Sequence, residues 1–228
     1  MSAARDRLIV ALDFAGGAEA LAFVERLGDA VDRYKVGLEL FTAEGPPIVE
    51  KLRARGKRVF VDLKLHDIPE TVGRAAAAIG KLGADLLTVH AGGGVEMMRR
   101  AVQAAPETRV LAVTVLTSLD VSDLRTDGIS TESTGEQVLR RAQLADQAGC
   151  AGVIASPLEL KALRARTGRR LMIVTPGVRP FATKDDQKRV ATAKEAIADG
   201  ADAVVVGRPI RDAQDPVEAA QRILQDLA

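Results

Sequence analysis

Short apolar, β-branched runs alternate along this chain with longer segments of helical period rich in Ala, Leu, Glu and Arg. The runs fall at Leu8–Asp13, Tyr34–Leu40, Val59–Leu65, Asp85–Ala91, Val110–Thr117, Gly152–Ser156, Leu171–Thr175 and Ala203–Gly207. Each is apolar at most positions, the pattern of parallel strands covered on both faces. The intervening segments predict helices near 17–27, 42–55, 69–82, 94–104, 135–148, 157–166, 190–198 and 215–227. Several helix starts carry their own signals. Ser156-Pro157 with Glu159, and Asp215-Pro216 with Glu218, place a capping residue before Pro at the first helical position and Glu at the third. Pro69 likewise suits a first helical turn. Gly83-Ala84-Asp85, Gly149-Cys150-Ala151 and Gly200-Ala201-Asp202 repeat one junction, a glycine that ends a helix immediately before a strand.

Eight strands and eight helices in strict alternation over 228 residues predict an α/β protein. The expected architecture is a (β/α)8 barrel, or TIM barrel, filling 1–228 as a single domain. An open doubly wound sheet is the alternative, but its glycine fingerprint is missing after the first strand, where Asp13-Phe14-Ala15-Gly16-Gly17 stands. The longest stretches without periodicity, Ser118–Thr134 and Arg179–Lys188, follow strands five and seven. Both therefore belong to the carboxyl face, where barrel enzymes keep their chemistry.

Composition narrows the functional classes. Lys and Arg number 32 against 31 Asp and Glu, a net charge of +1 that gives no general attraction to nucleic acid or to an anionic membrane. Aromatic residues make up 3% and Trp is lacking, which argues against base-stacking platforms. The single Cys150 cannot form an internal disulfide and points to a reducing, cytoplasmic setting. Two histidines and one cysteine offer little for a zinc site, so no metal is expected. Met1–Arg7 is charged rather than signal-like, and no run approaches the ~20 apolar residues of a membrane helix.

The most informative stretch is Val59-Phe60-Val61-Asp62-Leu63-Lys64-Leu65-His66-Asp67-Ile68-Pro69. Residues i and i+2 of a strand share a face, so Asp62, Lys64 and the apolar Phe60 point the same way. Charges on a covered face must satisfy each other or perform chemistry; a structural ion pair at a strand end is the plainer alternative. Lys35 joins them if Val36, Leu38 and Leu40 face the helices; in the other register it is a lysine at an exposed strand entrance. Asp13, Glu39, Asp67, His90, Thr117, Ser118, Ser156, Arg179 and Arg208 also fall at or near strand ends.

The last two strands point to phosphate. Thr175-Pro176-Gly177-Val178-Arg179 and Val206-Gly207-Arg208-Pro209-Ile210 each end in a turn followed by arginine. Loops at these positions of a barrel frequently bind phosphate. Gly207 allows close backbone approach and Arg208 can engage two oxygens at once; an arginine covering the barrel rim is the structural alternative. Residues 179–189 are polar and unpatterned, suited to a lid or to an ordinary solvated loop. Gly92-Gly93-Gly94 is a weak phosphate-loop signal, His90 suits a barrel-interior position, and His66 is expected to point away from Lys64 in a structural or interface role.

Asp62-Leu63-Lys64-Leu65-His66-Asp67-Ile68-Pro69, Val113–Ser118, Thr175–Arg179 and Val206–Ile210, with Leu8–Asp13 and Tyr34–Gly37, resemble the orotidine 5′-phosphate decarboxylase family, in order and across essentially the whole chain. The resemblance implies conversion of orotidine 5′-phosphate to uridine 5′-phosphate and CO2 without a cofactor. It implies a homodimer with composite sites, Asp67 and Thr71 reaching the neighbouring pocket. Lys64 would donate the proton within a network of Lys35, Asp62 and Asp67. Asp13 and Lys35 would hold ribose hydroxyls, Thr117 would contact the pyrimidine, and Arg179, Gln187, Gly207 and Arg208 would hold the phosphate. Two rivals remain: a sister enzyme using Mg2+ on a sugar phosphate, with Glu39 as an extra ligand, and a non-catalytic nucleotide sensor.

Overall fold

The computed structural model describes residues 2–178 and 191–228. Eight strands, β1 (Leu8–Ala11), β2 (Arg33–Gly37), β3 (Arg58–Leu65), β4 (Leu86–His90), β5 (Arg109–Val113), β6 (Gly152–Ile154), β7 (Met172–Pro176) and β8 (Ala203–Val206), lie in sequence order. All pair in parallel, and β8 returns to β1 to close a barrel. Around it run α1 (Ser2–Arg7), α2 (Gly17–Leu27), α3 (Leu38–Glu44), α4 (Pro47–Ala54), α5 (Pro69–Lys81) and α6 (Gly94–Ala104). They are followed by α7 (Val121–Thr126), α8 (Thr134–Ala148), α9 (Leu160–Thr167), α10 (Ala193–Ala198), α11 (Arg208–Arg211) and α12 (Pro216–Asp226).

The strands read as continuous apolar runs because each contributes to two cores. Ile9, Ala11, Phe60, Leu86, Leu111, Val174, Ala203 and Val205 fill the barrel interior. Their strand neighbours Leu8, Val10, Val59, Val61, Leu87, Val110, Val204 and Val206 pack outward against the helices. The helices meet them with one apolar stripe each, as in α5, where Val72, Ala76 and Ile79 are buried one turn apart. Cys150 belongs to the outer core; burial pushes its thiol up to about 12, so it stays protonated. Among the described residues no helix is long and apolar enough to cross a membrane.

The anticipated junctions are present. Gly83, Gly149 and Gly200 take positive φ (74°, 81° and 115°) where helices end. Ser156 and Glu159 form a reciprocal capping box, on a 3-10 turn (Pro157–Glu159) that leads into α9. Asp215 accepts the Val217 and Glu218 amides at the start of α12.

Three expectations need correction. The second strand ends at Gly37, and Leu38 and Glu39 start α3 as exposed residues. The apolar positions 36, 38 and 40 imitate a strand, but a run this short cannot separate a period of 2 from the first turn of a helix. The helix expected over 42–55 is two, because Gly45 takes φ +65 and Pro47 opens α4. Residues 118–134 contain α7, nucleated by a capping box between Asp120 and Asp123. A six-residue helix is too short to leave a periodicity. Elsewhere strand ends shift by only a few residues.

Candidate active site

Four charged side chains meet at the carboxyl end of the barrel. Asp13 follows β1, Lys35 projects from β2, and Asp62 and Lys64 come from β3. Lys64 Nζ lies 2.9 Å from Asp62 Oδ1. Lys35 Nζ lies 3.7 Å from Asp62 Oδ2 and 3.2 Å from Asp13 Oδ1. The charges therefore alternate along a line: Asp13, Lys35, Asp62, Lys64. The side chains of Lys35 and Asp62 are each 12% exposed, Lys64 33% and Asp13 46%, so the line is covered at its middle and opens at both ends. Each ion pair brings gross attraction on the order of 4 kcal/mol at an effective dielectric near 20. Desolvation offsets much of that gain, so stability alone is a poor account of the arrangement.

The backbone accommodates the lysine by leaving regular strand geometry. Val61 stands opposite Leu87 and Leu65 opposite Val89, so β3 spans this interval with more residues than β4. Lys64 sits inside that bulge with φ +50, and it is the one non-glycine among the described residues with positive φ. A non-glycine residue in this conformation is strained, and such strain is held only where surroundings enforce it. The surroundings include Thr88 of β4, fully buried, whose Oγ1 accepts the Lys64 amide at 2.9 Å and donates to Asp62 Oδ1 at 2.8 Å.

Two glycines make room. A Cβ at Gly37 would lie 2.9 Å from Lys35 Nζ, and one at Gly207 would lie 3.3 Å from Asp13 Oδ2. Gly207 precedes α11, whose first residue, Arg208, is exposed beside this cradle. Arg211 Nη1 donates to the Asp13 carbonyl at 2.8 Å and ties the turn after β1 to α11.

The remaining expected residues are placed apart from the charge line within one chain. Asp67 is exposed and its Oδ1 accepts the Ile68 amide at 2.6 Å; it forms no ion pair with any described residue. Thr71 is exposed in the first turn of α5, and Thr117 is exposed beyond β5. Arg179 and Gln187, with the rest of the expected lid, lie outside the described residues. Among the described residues no three His, Cys, Asp or Glu side chains gather as a metal-holding group.

His66 and His90 stack with ring centroids 5.0 Å apart and planes 9° from parallel. His90 Nδ1 accepts the Gly92 amide at 3.0 Å, which places the proton of the neutral ring on Nε2. Burial, helped by the charges of Arg141, His66 and Lys64, holds His90 down at about 4. Gly92-Gly93-Gly94 thus serves at least to seat this pair, since a Cβ on Gly92 would stand 2.9 Å from His90 Nδ1.

Thr88 and Arg211 are the participants the sequence did not single out. Thr88 shares a face of β4 with Leu86 and His90, so strand parity pointed it inward. Its bond to the Lys64 amide depends on the bulge, which leaves no sequence mark.

Residues 6–223 match the sequence model of the Orotidine 5'-phosphate decarboxylase / HUMPS family. An orotidine 5'-phosphate decarboxylase of Methylococcus capsulatus is 52% identical over 220 residues, covering 95% of this chain and 90% of that protein. A second, of Anaeromyxobacter dehalogenans, is 51% identical over 224 residues, covering 97% and 98%. The crystal structure of orotidine 5'-phosphate decarboxylase from Lactobacillus acidophilus superimposes with a TM-score of 0.88 at 40% identity, covering 97% of this chain and 99% of that one. On sequence and on architecture alike, the chain belongs to the orotidine 5′-phosphate decarboxylase/HUMPS family.

Proposed function

We propose that the protein is a carboxy-lyase that converts orotidine 5′-phosphate to uridine 5′-phosphate and CO2, the last step of de novo pyrimidine nucleotide synthesis, in the cytoplasm and without a cofactor. The observation that carries this is the Lys64 ammonium bonded to Asp62 in a cradle that Lys35 and Asp13 extend.

Breaking the bond between C6 and the carboxylate leaves an electron pair in the plane of the pyrimidine ring, where the ring π system cannot take it up. Fixed charge must then stabilise it. An ammonium held against C6 in a site that excludes water does so without reorganising at the moment of reaction. Lys64 serves as that ammonium and then gives its proton to C6, releasing uridine 5′-phosphate and recovering a proton from solvent. Asp62 orients the lysine, and Lys35 balances the second carboxylate oxygen.

Binding of the rest of the nucleotide sets the register. Asp13 and Lys35 take the ribose hydroxyls and Thr117 the pyrimidine. Gly207 and Arg208, with Arg179 and Gln187, take the phosphate, whose binding energy, remote from C6, holds the ring in register. Asp67 and Thr71 act across a homodimer, each completing the partner's pocket; the exposure of both, and of Ile68 at 66%, supports that role. The whole chain, 1–228, works as one domain.

An ultraviolet assay with orotidine 5′-phosphate in excess chelator tests the reading. Turnover that persists supports it. An unchanged spectrum under saturating protein identifies a sensor, and activity abolished by chelator identifies metal-assisted chemistry. For the dimer, mixing a Lys64→Ala variant with an Asp67→Ala variant restores one intact composite site per heterodimer. Failure to recover activity refutes the shared pocket.

A further inference from the structure

We propose that Thr88 is a positioning residue for Lys64, an inference that rests on the decarboxylase reading. Its hydroxyl closes a ring of hydrogen bonds through both nitrogens of that lysine. The Lys64 amide donates to Thr88 Oγ1 (2.9 Å), Thr88 Oγ1 donates to Asp62 Oδ1 (2.8 Å), and the same oxygen accepts Lys64 Nζ (2.9 Å). The directions are fixed by chemistry: a carboxylate has no proton to give, so the one hydroxyl proton goes to Asp62 and a lone pair remains for the amide.

The bulge makes this hydroxyl necessary. The β3/β4 register jumps between Val61 and Leu65, which takes the Lys64 amide out of the regular ladder and turns it toward β4 without a ladder carbonyl to meet it. Thr88 Oγ1 supplies the missing acceptor from a fully buried position. It thereby holds Lys64 at φ +50, the conformation from which the side chain returns to Asp62. One buried group sets both the backbone from which the ammonium springs and the carboxylate against which it rests. Thr88 touches neither substrate nor reacting carbon in this scheme; it acts through Lys64 and Asp62.

Thr88→Val, close in shape but without the hydroxyl, and Thr88→Ser, which keeps it, separate positioning from packing. For Thr88→Val we expect kcat to fall about tenfold to a hundredfold, as for a lost bond to a charged group, while KM stays within about threefold. Thr88→Ser should remain within about threefold of wild type in both. A kcat for Thr88→Val within about twofold of wild type overturns the proposal, as does equal damage by Ser. If Val does not fold, Thr88→Ala carries the same comparison. Wild-type turnover of orotidine 5′-phosphate is the control for the reading beneath: its absence removes the decarboxylase assignment. The positioning role is then decided by the crystal structure of Thr88→Val. Lys64 leaving positive φ supports it, and Lys64 unmoved against Asp62 overturns it.

Discussion

Lys64 Nζ meets Asp62 Oδ1 at 2.9 Å even though Lys64 itself has left strand geometry, with φ +50. The simple rule that i and i+2 share a face names the correct partners. The actual contact is made by a bulged lysine whose side chain turns back along β3.

That ammonium supplies both charge stabilisation and the proton in the proposed reaction. Lys64→Ala is expected to lower kcat by about 10⁴-fold or more, combining the usual losses for a fixed charge and a general acid. Uridine 5′-phosphate binding, followed by calorimetry, should remain measurable because the phosphate and ribose contacts are intact. Turnover within about tenfold of wild type contradicts the assigned role.

Arg208 stands exposed at the first position of α11, beside Gly207. As a phosphate ligand its contribution is binding energy remote from C6. Arg208→Ala should raise KM for orotidine 5′-phosphate by about tenfold to a hundredfold, as expected for a charge-assisted contact, and weaken uridine 5′-phosphate binding in parallel. Equal nucleoside affinity in both proteins, with only the nucleotide weakened, locates the loss at the phosphate. Unchanged nucleotide affinity removes Arg208 from the site.

The barrel was legible because most strands are apolar on both faces and most αβ junctions carry a glycine. Gly83, Gly149 and Gly200 occupy such junctions with positive φ. The shared face of Asp62 and Lys64 followed from parity, whereas Lys35 depended on a register that the pattern left open. The chain fold at Gly37, the helix break at Gly45 and the short α7 were not legible, because local turns outvoted period over spans of a few residues. Thr88 stayed hidden for a different reason. A threonine inside a strand is an ordinary choice, and its partner amide exists only because β3 and β4 fall out of register.

Gly37 offers a steric test of the cradle. Its backbone, φ −91 and ψ −175, suits any residue, so alanine is tolerated by the chain itself. The added Cβ would nevertheless stand 2.9 Å from Lys35 Nζ and 3.7 Å from Asp13 Oδ1. Lys35 must give way, and the ion pairs to Asp13 and Asp62 shift with it. Gly37→Ala should cost about tenfold or more in kcat/KM with little change in melting temperature. Full activity would show that the Lys35 position is not critical.

His90 predicts a pH dependence of stability with a definite sign. In the folded protein its imidazole sits at about 4, lowered by burial and by Arg141, His66 and Lys64, against about 6.5 in an unfolded chain. Between those values the unfolded chain holds a proton that the folded one does not, so stability rises with pH across the window. The contribution is complete above about pH 6.5 and is lost as pH falls toward 4. A His90→Gln variant retains an acceptor for the Gly92 amide without the titration. Urea unfolding of both proteins from about pH 7 to about pH 5 isolates the effect, because other groups titrate in each. The stability of wild type relative to the variant should decline over that interval. A constant difference would mean that residue 90 takes up its proton equally well in both states.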